Sequence, residues 1–300
     1  MNLSFFKEVD EFLGDKNTRY FGAGYINSAH DIYNFQYEQY ESYDLETNKF
    51  SCLGKVVLPQ TWSIKNNGSQ KPHLSTIDII ELALLTFDQM IQTIHNRTIC
   101  YKKLIHKMVI RAGKSPIESD FDKIAISGSM SKATRDNNVM NLNISNMSIE
   151  ILYKNDASKM EPSEFEEYLK TPLEINDVMI NVDELKASAL VNNKRILNEN
   201  VEPWSTSCLF SVGLQLGQIL LYQLDSISRA ESNTLWMKKT EIHFLSDRPN
   251  MDASHPIFTR LDNVRRYKAG DHDWRKADIY SILGNTKIIC SVTHQLPQIS

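Results

Sequence analysis

The sequence predicts an α+β chain of two similar halves, each a long buried helix wrapped by an antiparallel sheet. Three observations predict it. Residues 76–95 and 206–226 are apolar around most of a helical circumference. Runs with the two-residue period of strands stand before and after each of them. The order strands, proline-containing loop, Ser-Thr, helix, strands occurs twice along the chain.

The elements follow in order. Residues 5–13 form a short amphipathic opening, closed by Gly14-Asp15. In 32–40, Tyr33, Phe35 and Tyr37 alternate with Asn34, Gln36 and Glu38, the pattern of a half-buried strand. A turn over 44–48 and a second strand over 50–58 complete a hairpin, ended by Pro59. After a polar loop, Ser75 caps the helix 76–95, and Asp78 three residues later makes an acidic form of the capping box. Strands are expected over 104–111, 123–130 and 139–153, the last long enough to bend. Residues 156–172 read as an acidic connector with a short helix near 163–169. Strands at 178–182 and 187–191 lead to the second helix, 206–226. A strand over 235–245, a loop over 249–256, and a hairpin of 279–283 and 287–293 around Gly284-Asn285 close the chain. The halves are therefore 1–153 and 178–300, joined by 154–177.

The repeat fixes a register. Setting Ser75-Thr76 over Ser205-Thr206 puts Ile79, Ile80, Leu82, Leu84, Met90 and Ile91 over Leu209, Phe210, Val212, Leu214, Leu220 and Leu221. Lys102-Lys103 and Lys238-Lys239 open the strands that follow. In the second helix Gly213 and Gly217 lie opposite Ser211, Gln215, Gln218 and Tyr222, so they let the helix approach a sheet closely. One helix wrapped by a sheet, occurring twice, resembles the tandem (double) hot-dog fold, whose members commonly act on acyl thioesters.

Composition narrows the function. The 33 basic and 37 acidic side chains leave a net charge of −4, which argues against a nucleic-acid partner. The N-terminus lacks a basic region followed by an apolar core, so no secretory signal is read there. The most apolar stretch, 208–224, is interrupted by Ser211, Gly213, Gln215, Gly217, Gln218 and Gln223 and reads as a buried helix, not a membrane span. Cys52, Cys100, Cys208 and Cys290 are widely spaced, as expected of reduced thiols in a cytoplasmic protein. Nucleotide-loop, serine-hydrolase and zinc-protease motifs are absent.

Four blocks resemble the avirulence D protein family of plant-associated bacteria. They are Arg19-Tyr20-Phe21-Gly22-Ala23-Gly24-Tyr25 with His30-Asp31-Ile32-Tyr33, then Thr61-Trp62-Ser63-Ile64-Lys65, then Pro72-His73-Leu74-Ser75-Thr76-Ile77-Asp78, and Trp274-Arg275-Lys276-Ala277-Asp278-Ile279-Tyr280. The resemblance implies synthesis of syringolides, acylated sugar-derived lactones whose skeleton is that of a β-ketoacyl chain condensed with a ketopentose. It also implies a kinship of reaction with the γ-butyrolactone-factor synthases. Acyl-coenzyme A or an acyl-carrier protein would then be the thioester donor, a sugar-like ketose the acceptor, and no bound cofactor would be needed. The alternative is a non-catalytic protein that holds an acyl chain or lactone.

Such chemistry needs a base near the substrate and donors for the developing oxyanion, and the start of a buried helix supplies donors. His73 and Asp78 are the expected catalytic pair, with Asp78 as a base or orienting His73. Ser75, Thr76, Glu81, Trp62 and His30 are expected around the substrate. From the second half come Trp204, which takes the place of Leu74, and Arg275, suited to a sugar hydroxyl or phosphate. The second half carries no His or carboxylate at the positions of His73 and Asp78, so chemistry is expected on the first half. Asp271-His272-Asp273 alternates within one short loop and is not read as a metal site. The expected site is an apolar channel bordered by both helices, with His73, Ser75 and Asp78 at its mouth.

Overall fold

Both long apolar segments fold as helices, and both are enclosed by sheet. The computed structural model describes residues 3–42, 45–60, 62–65, 68–95, 104–154, 173–193, 204–245 and 254–297. In chain order the first elements are β1 (Leu3–Glu8), α1 (Asp10–Leu13), two 3-10 turns (Lys16–Thr18 and Gly24–Asn27), β2 (Ala29–Ser42) and β3 (Leu45–Val57). The short β4 (Ile64–Lys65) and β5 (Gly68–Ser69) precede the first long helix, α2 (Thr76–His95). Then come β6 (Ile105–Arg111), β7 (Ile124–Lys132), β8 (Asn137–Ile144), β9 (Met147–Lys154), β10 (Leu173–Asn181) and β11 (Lys186–Asn193). The second long helix, α3 (Thr206–Leu224), is followed by β12 (Trp236–Phe244), β13 (His255–Ala269), β14 (His272–Leu283) and β15 (Thr286–Gln295).

Thirteen strands make one antiparallel sheet, in the order β1-β10-β11-β13-β14-β15-β12-β6-β9-β8-β7-β3-β2. The repeat is plain in this order. Outward from β6 the first half runs β6-β9-β8-β7-β3-β2, and outward from β12 the second runs β12-β15-β14-β13-β11-β10. Each half has two strands, a helix and four strands, with equivalent neighbours. The halves meet where β6 and β12 pair antiparallel, Lys239 opposite Arg111 and His243 opposite Lys107. β1 extends the second half by pairing with β10, Phe5 opposite Met179.

Both helices begin where the repeat register places them, after Ser75 and Ser205. Ser205 Oγ accepts the N–H of Cys208 at 3.1 Å, and Ser75 Oγ accepts that of Asp78 at 3.2 Å. α3 is buried along nearly its whole length. It is long and apolar enough to cross a membrane by length and composition, but 83% of its most apolar window is buried inside the protein. Its glycines do what the sequence suggests: a Cβ at Gly217 would lie 2.5 Å from Ile279 and one at Gly213 3.0 Å from Ser281, both on β14.

Three expectations change. The single strand over 139–153 is two strands, β8 and β9, reversing at Ser145-Asn146 with Ser145 at φ +53°. The buried residues shift parity there, from Met140, Leu142 and Ile144 to Met147, Ile149, Ile151 and Tyr153. The turn over 44–48 is shorter, because Thr47 and Asn48 pair with β2 on one side and β7 on the other. The loop expected over 249–256 ends earlier and the hairpin strand expected over 279–283 starts earlier: β13 begins at His255, buries Ile257, Thr259 and Leu261, and turns at Gly270-Asp271 into β14, which begins at His272. The expected connector helix near 163–169 lies outside the described residues.

Replacing Gly217 by Ala should destabilise the protein. The helix gains about 1 kcal/mol of propensity, but the new methyl must displace Ile279, and overpacking costs typically about 1–3 kcal/mol. Chemical denaturation should show a net loss for Gly217→Ala and a smaller effect for Gly213→Ala.

Candidate active site

The site is built where both helices start. The segment 16–28 folds over the two N-termini and contacts each. Tyr20 OH donates to Asp78 Oδ1 at 3.0 Å and lies 3.0 Å from Ser75 Oγ. Five residues on, Tyr25 OH donates to Cys208 Sγ at 3.3 Å, the residue equivalent to Asp78 in the second helix. Ser211 Oγ donates to the carbonyl of Phe21, and Arg19 donates to Gln215 Oε1 at 2.7 Å. Glu81 of α2 accepts from Ser207 of α3, which ties the helices to each other.

Asp78 is completely buried and fully engaged. Its Oδ2 accepts from Ser75 N at 2.8 Å and Ser75 Oγ at 2.7 Å, and its Oδ1 faces Tyr20 and, at 2.8 Å, His30 Nε2. Burial, with the Asp78 carboxylate next, holds the Tyr20 phenol well above its ordinary pKa, so it stays a neutral donor.

His73 stands apart from this network. Its Nδ1 is 3.3 Å from the carbonyl of Lys71, and its ring lies between Trp62 and Trp236, with centroids 5.4 and 5.6 Å away. Burial lowers its pKa, so the imidazole is neutral near pH 7. The loop is fixed by the Leu74 N–H, which donates to Ile117 O at 2.8 Å. Trp62 in turn stacks on Tyr20 at 3.8 Å.

Two cavities meet at His73 and Ser75. One, of about 220 Å³, is walled by Arg19, Tyr20, Trp62, Lys65, Gln218 and Arg229. The other, of about 390 Å³, is walled by Leu74, Pro116, Met147, Met237, Tyr267 and Trp274. Leu235, Trp236 and Met237 border both. In the first, burial pushes Lys65 down to about 8, with Arg229 adding to the shift, and Arg19 down to about 10 against the pull of Asp10.

The predicted residues therefore divide. His73, Ser75 and Trp62 line the cavities, and Thr76 lines the larger one. Asp78 does not stand at the mouth or hold His73. It lies behind Ser75 and Tyr20 and binds His30, which is packed into the same network with its side chain 3% exposed. Glu81 bridges the helices. Trp204 is buried against His255 and Arg275 pairs with Asp225 at the far end of α3, and neither lines these cavities. The expected channel between both helices is not what forms: the walls take Ser75 and Thr76 from the start of α2 and only Gln218 from α3. Asp271 sits in the β13–β14 turn and Asp273 pairs with Arg266. Among the described residues no three His, Cys, Asp or Glu side chains are grouped to hold a metal. Sequence reasoning missed Tyr20, Arg19, Lys65, Arg229 and Trp236. Tyr20, Arg19 and Lys65 stand inside the blocks that carry the family resemblance, and all four blocks reach these cavities.

The model of the family described as Pseudomonas avirulence D protein matches residues 4–154 and 173–297. The chain belongs to the avirulence D protein family. No curated protein matches it. Among solved structures, a conserved protein of unknown function with hot dog fold from Alicyclobacillus acidocaldarius is similar at TM-score 0.44 and 6% identity, over 87% of this chain and 97% of that one. The acyl-CoA thioesterase II TesB2 of Mycobacterium marinum aligns at TM-score 0.40 and 7% identity, over 75% and 92%. The dehydratase domain of RzxB from Pseudomonas fluorescens aligns at 0.39 and 11%, over 86% and 96%. Cys52, Cys208 and Cys290 are buried, and burial pushes the Cys52 thiol to about 11 and that of Cys290 to about 12. Cys100 lies outside the described residues.

Two outcomes follow. Asp78→Asn should cost more than the ~2 kcal/mol upper value of a lost cap, because an amide cannot accept all four contacts, and thermal unfolding will read it. Asp225 is the second test. Burial would raise its carboxyl, but the His294 ring, with Nε2 3.2 Å from Oδ2, and the hydrogen bonds from Arg275 outweigh this and hold it below its ordinary value. Its contribution to stability is thus present above the unfolded pKa of about 3.9 and lost as pH falls through the folded one. Asp225→Asn should destabilise by roughly 2–4 kcal/mol at pH 7, and its difference from the wild type should shrink below about pH 4.

Proposed function

We propose that this protein is a biosynthetic enzyme that joins a β-ketoacyl thioester to a sugar-like ketose, giving an acyl lactone of the syringolide or butenolide type. The observation that carries the reading is the meeting of two unlike cavities at one histidine: an apolar one suited to an acyl chain, and a polar, cationic one suited to a hydroxylated acceptor. Membership of the avirulence D family supports it. So does the double hot-dog reading of the fold, which rests on the same strand order occurring twice around two helices.

In the proposed reaction the acyl chain lies along Leu74, Met147, Met237 and Trp274, with its thioester carbonyl at the start of α2. The first N–H groups of that helix, at the positive end of its dipole, stabilise the oxyanion. Neutral His73 takes the proton of an acceptor hydroxyl as its oxygen attacks the carbonyl carbon. The C–S bond breaks, and the thiol leaves with the proton from His73. His73 then removes a proton from the carbon between the two carbonyls. That carbon attacks the ketose carbonyl, which closes the ring, and His73 returns its proton to the resulting alkoxide; that hydroxyl then leaves as water with the remaining proton of the carbon between the carbonyls, giving the unsaturated lactone. Asp78 is a positioning residue here, holding Tyr20, His30 and Ser75. Coenzyme A or an acyl-carrier protein supplies the thioester, and the reaction is placed in the cytoplasm.

Mass spectrometry of lipophilic extracts from cells with and without the expressed protein tests this. An acylated lactone should appear with the wild type and fall by about 10²-fold or more with His73→Ala, whose melting temperature should stay near that of the wild type. Unchanged extracts, together with binding of an acyl lactone by the purified protein, would instead support a non-catalytic acyl-binding role.

A further inference from the structure

The smaller cavity carries more positive charge than the protein neutralises. Arg19 pairs with Asp10, and Lys71 at the rim pairs with Glu118. Lys65 and Arg229 meet only neutral oxygens. Lys65 Nζ donates to Ser232 O, Ser232 Oγ and Asn233 O, each at 3.1 Å. Arg229 donates to Ile64 O at 2.9 Å, Ser63 Oγ at 3.0 Å and Thr18 O at 3.4 Å. Among the described residues no carboxylate is paired with either. The side chain of Arg19 is 4% exposed, and its Nε is buried without a hydrogen-bond partner. Three cations are thus held against one another in a partly dehydrated space, by parts of the chain that are far apart in sequence.

Folding alone does not explain that arrangement. Loop carbonyls can be tied down by neutral side chains, and crowding cations raises the energy of the empty site. An anion entering the cavity removes that cost. Arginine suits a phosphate, because its planar donors match phosphate oxygens. The cavity also opens on His73 and Ser75, so a group bound there is tethered beside the reacting centre.

We propose that the cavity of Arg19, Lys65 and Arg229 binds a phosphate ester of the acceptor, which makes the acceptor a phosphorylated ketose. This rests on the preceding section only for which substrate lies here. The phosphate stays on the sugar through the condensation, so a separate phosphatase must act before a neutral lactone is released.

The test reads binding, not product. The full chain is titrated by calorimetry with a ketopentose phosphate, the unphosphorylated ketopentose, coenzyme A and inorganic phosphate. The sugar phosphate should bind about tenfold or more tightly than the free sugar, weaken as salt is raised, and be displaced by inorganic phosphate. Arg229→Gln and Lys65→Met should each weaken it by about tenfold or more, while Arg266→Gln, an exposed control, should not. Equal binding of the sugar and its phosphate would overturn the proposal. So would binding by coenzyme A alone, or an unchanged affinity in a folded Arg229→Gln protein. If Arg229→Gln does not fold, Lys65→Met and phosphate competition on the wild type still decide. Tight, Arg229-dependent binding with no lactone in cells would keep this site and reject the condensation.

Discussion

Two helix N-termini are buried side by side, and the structure is arranged around satisfying them. A helix start presents several N–H groups that nothing in the helix can accept. At a surface water would do so, but here the sheet excludes it. Ser75 and Ser205 cap one N–H each, and the segment 16–28 binds side chains of both helices, Tyr20 to Asp78, Tyr25 to Cys208 and the carbonyl of Phe21 to Ser211. The fold of that segment is tight for this reason. A Cβ on Gly22 would fall 2.5 Å from the carbonyl of Lys16, so a larger residue there would push the segment off both helices.

The same constraint divides the labour between the halves. In the first, Asp78 at the third helical position adds a carboxylate, which draws in Tyr20, His30 and Ser75. In the second, Cys208 takes that position and accepts from the Tyr25 hydroxyl. One helix start adjoins the cavities, and the other, with Thr206 and Ser207 buried, is tied to the first through Ser207 and Glu81. Asp78 is therefore most useful as the anchor of a network. Its full set of partners leaves His73, set between two tryptophans with its pKa lowered by burial, as the titratable ring facing open space.

Much of this was legible along the chain. The helical apolar pattern, the Ser-Thr starts and the opposed glycines of 206–224 are local signals. Each became the element it implied, because a helix apolar all round must be buried, and here the sheet buries it. The two-strand reversal at Ser145-Asn146 was also written in the sequence, as a change of parity in the buried residues. The first part of β13 alternates as cleanly as β2, but its later charged stretch hid the strand.

The site is a different matter. Sequence order determined that a capped helix would start after Ser75 and that His73 would precede it. It also determined that no equivalent acid or histidine would stand at the second helix. Only the tertiary structure decided which groups meet there. It brought His30 and Tyr20 to Asp78 from 48 and 58 residues away, and Arg229 to Ser63 from 166 residues away. It took Arg275 to Asp225 and away from the cavities. Local pattern sets which face of an element is buried, because that depends on spacing along one segment. Which side chains share a cavity depends on how strands from both halves pair across β6 and β12, and that pairing is a property of the closed sheet.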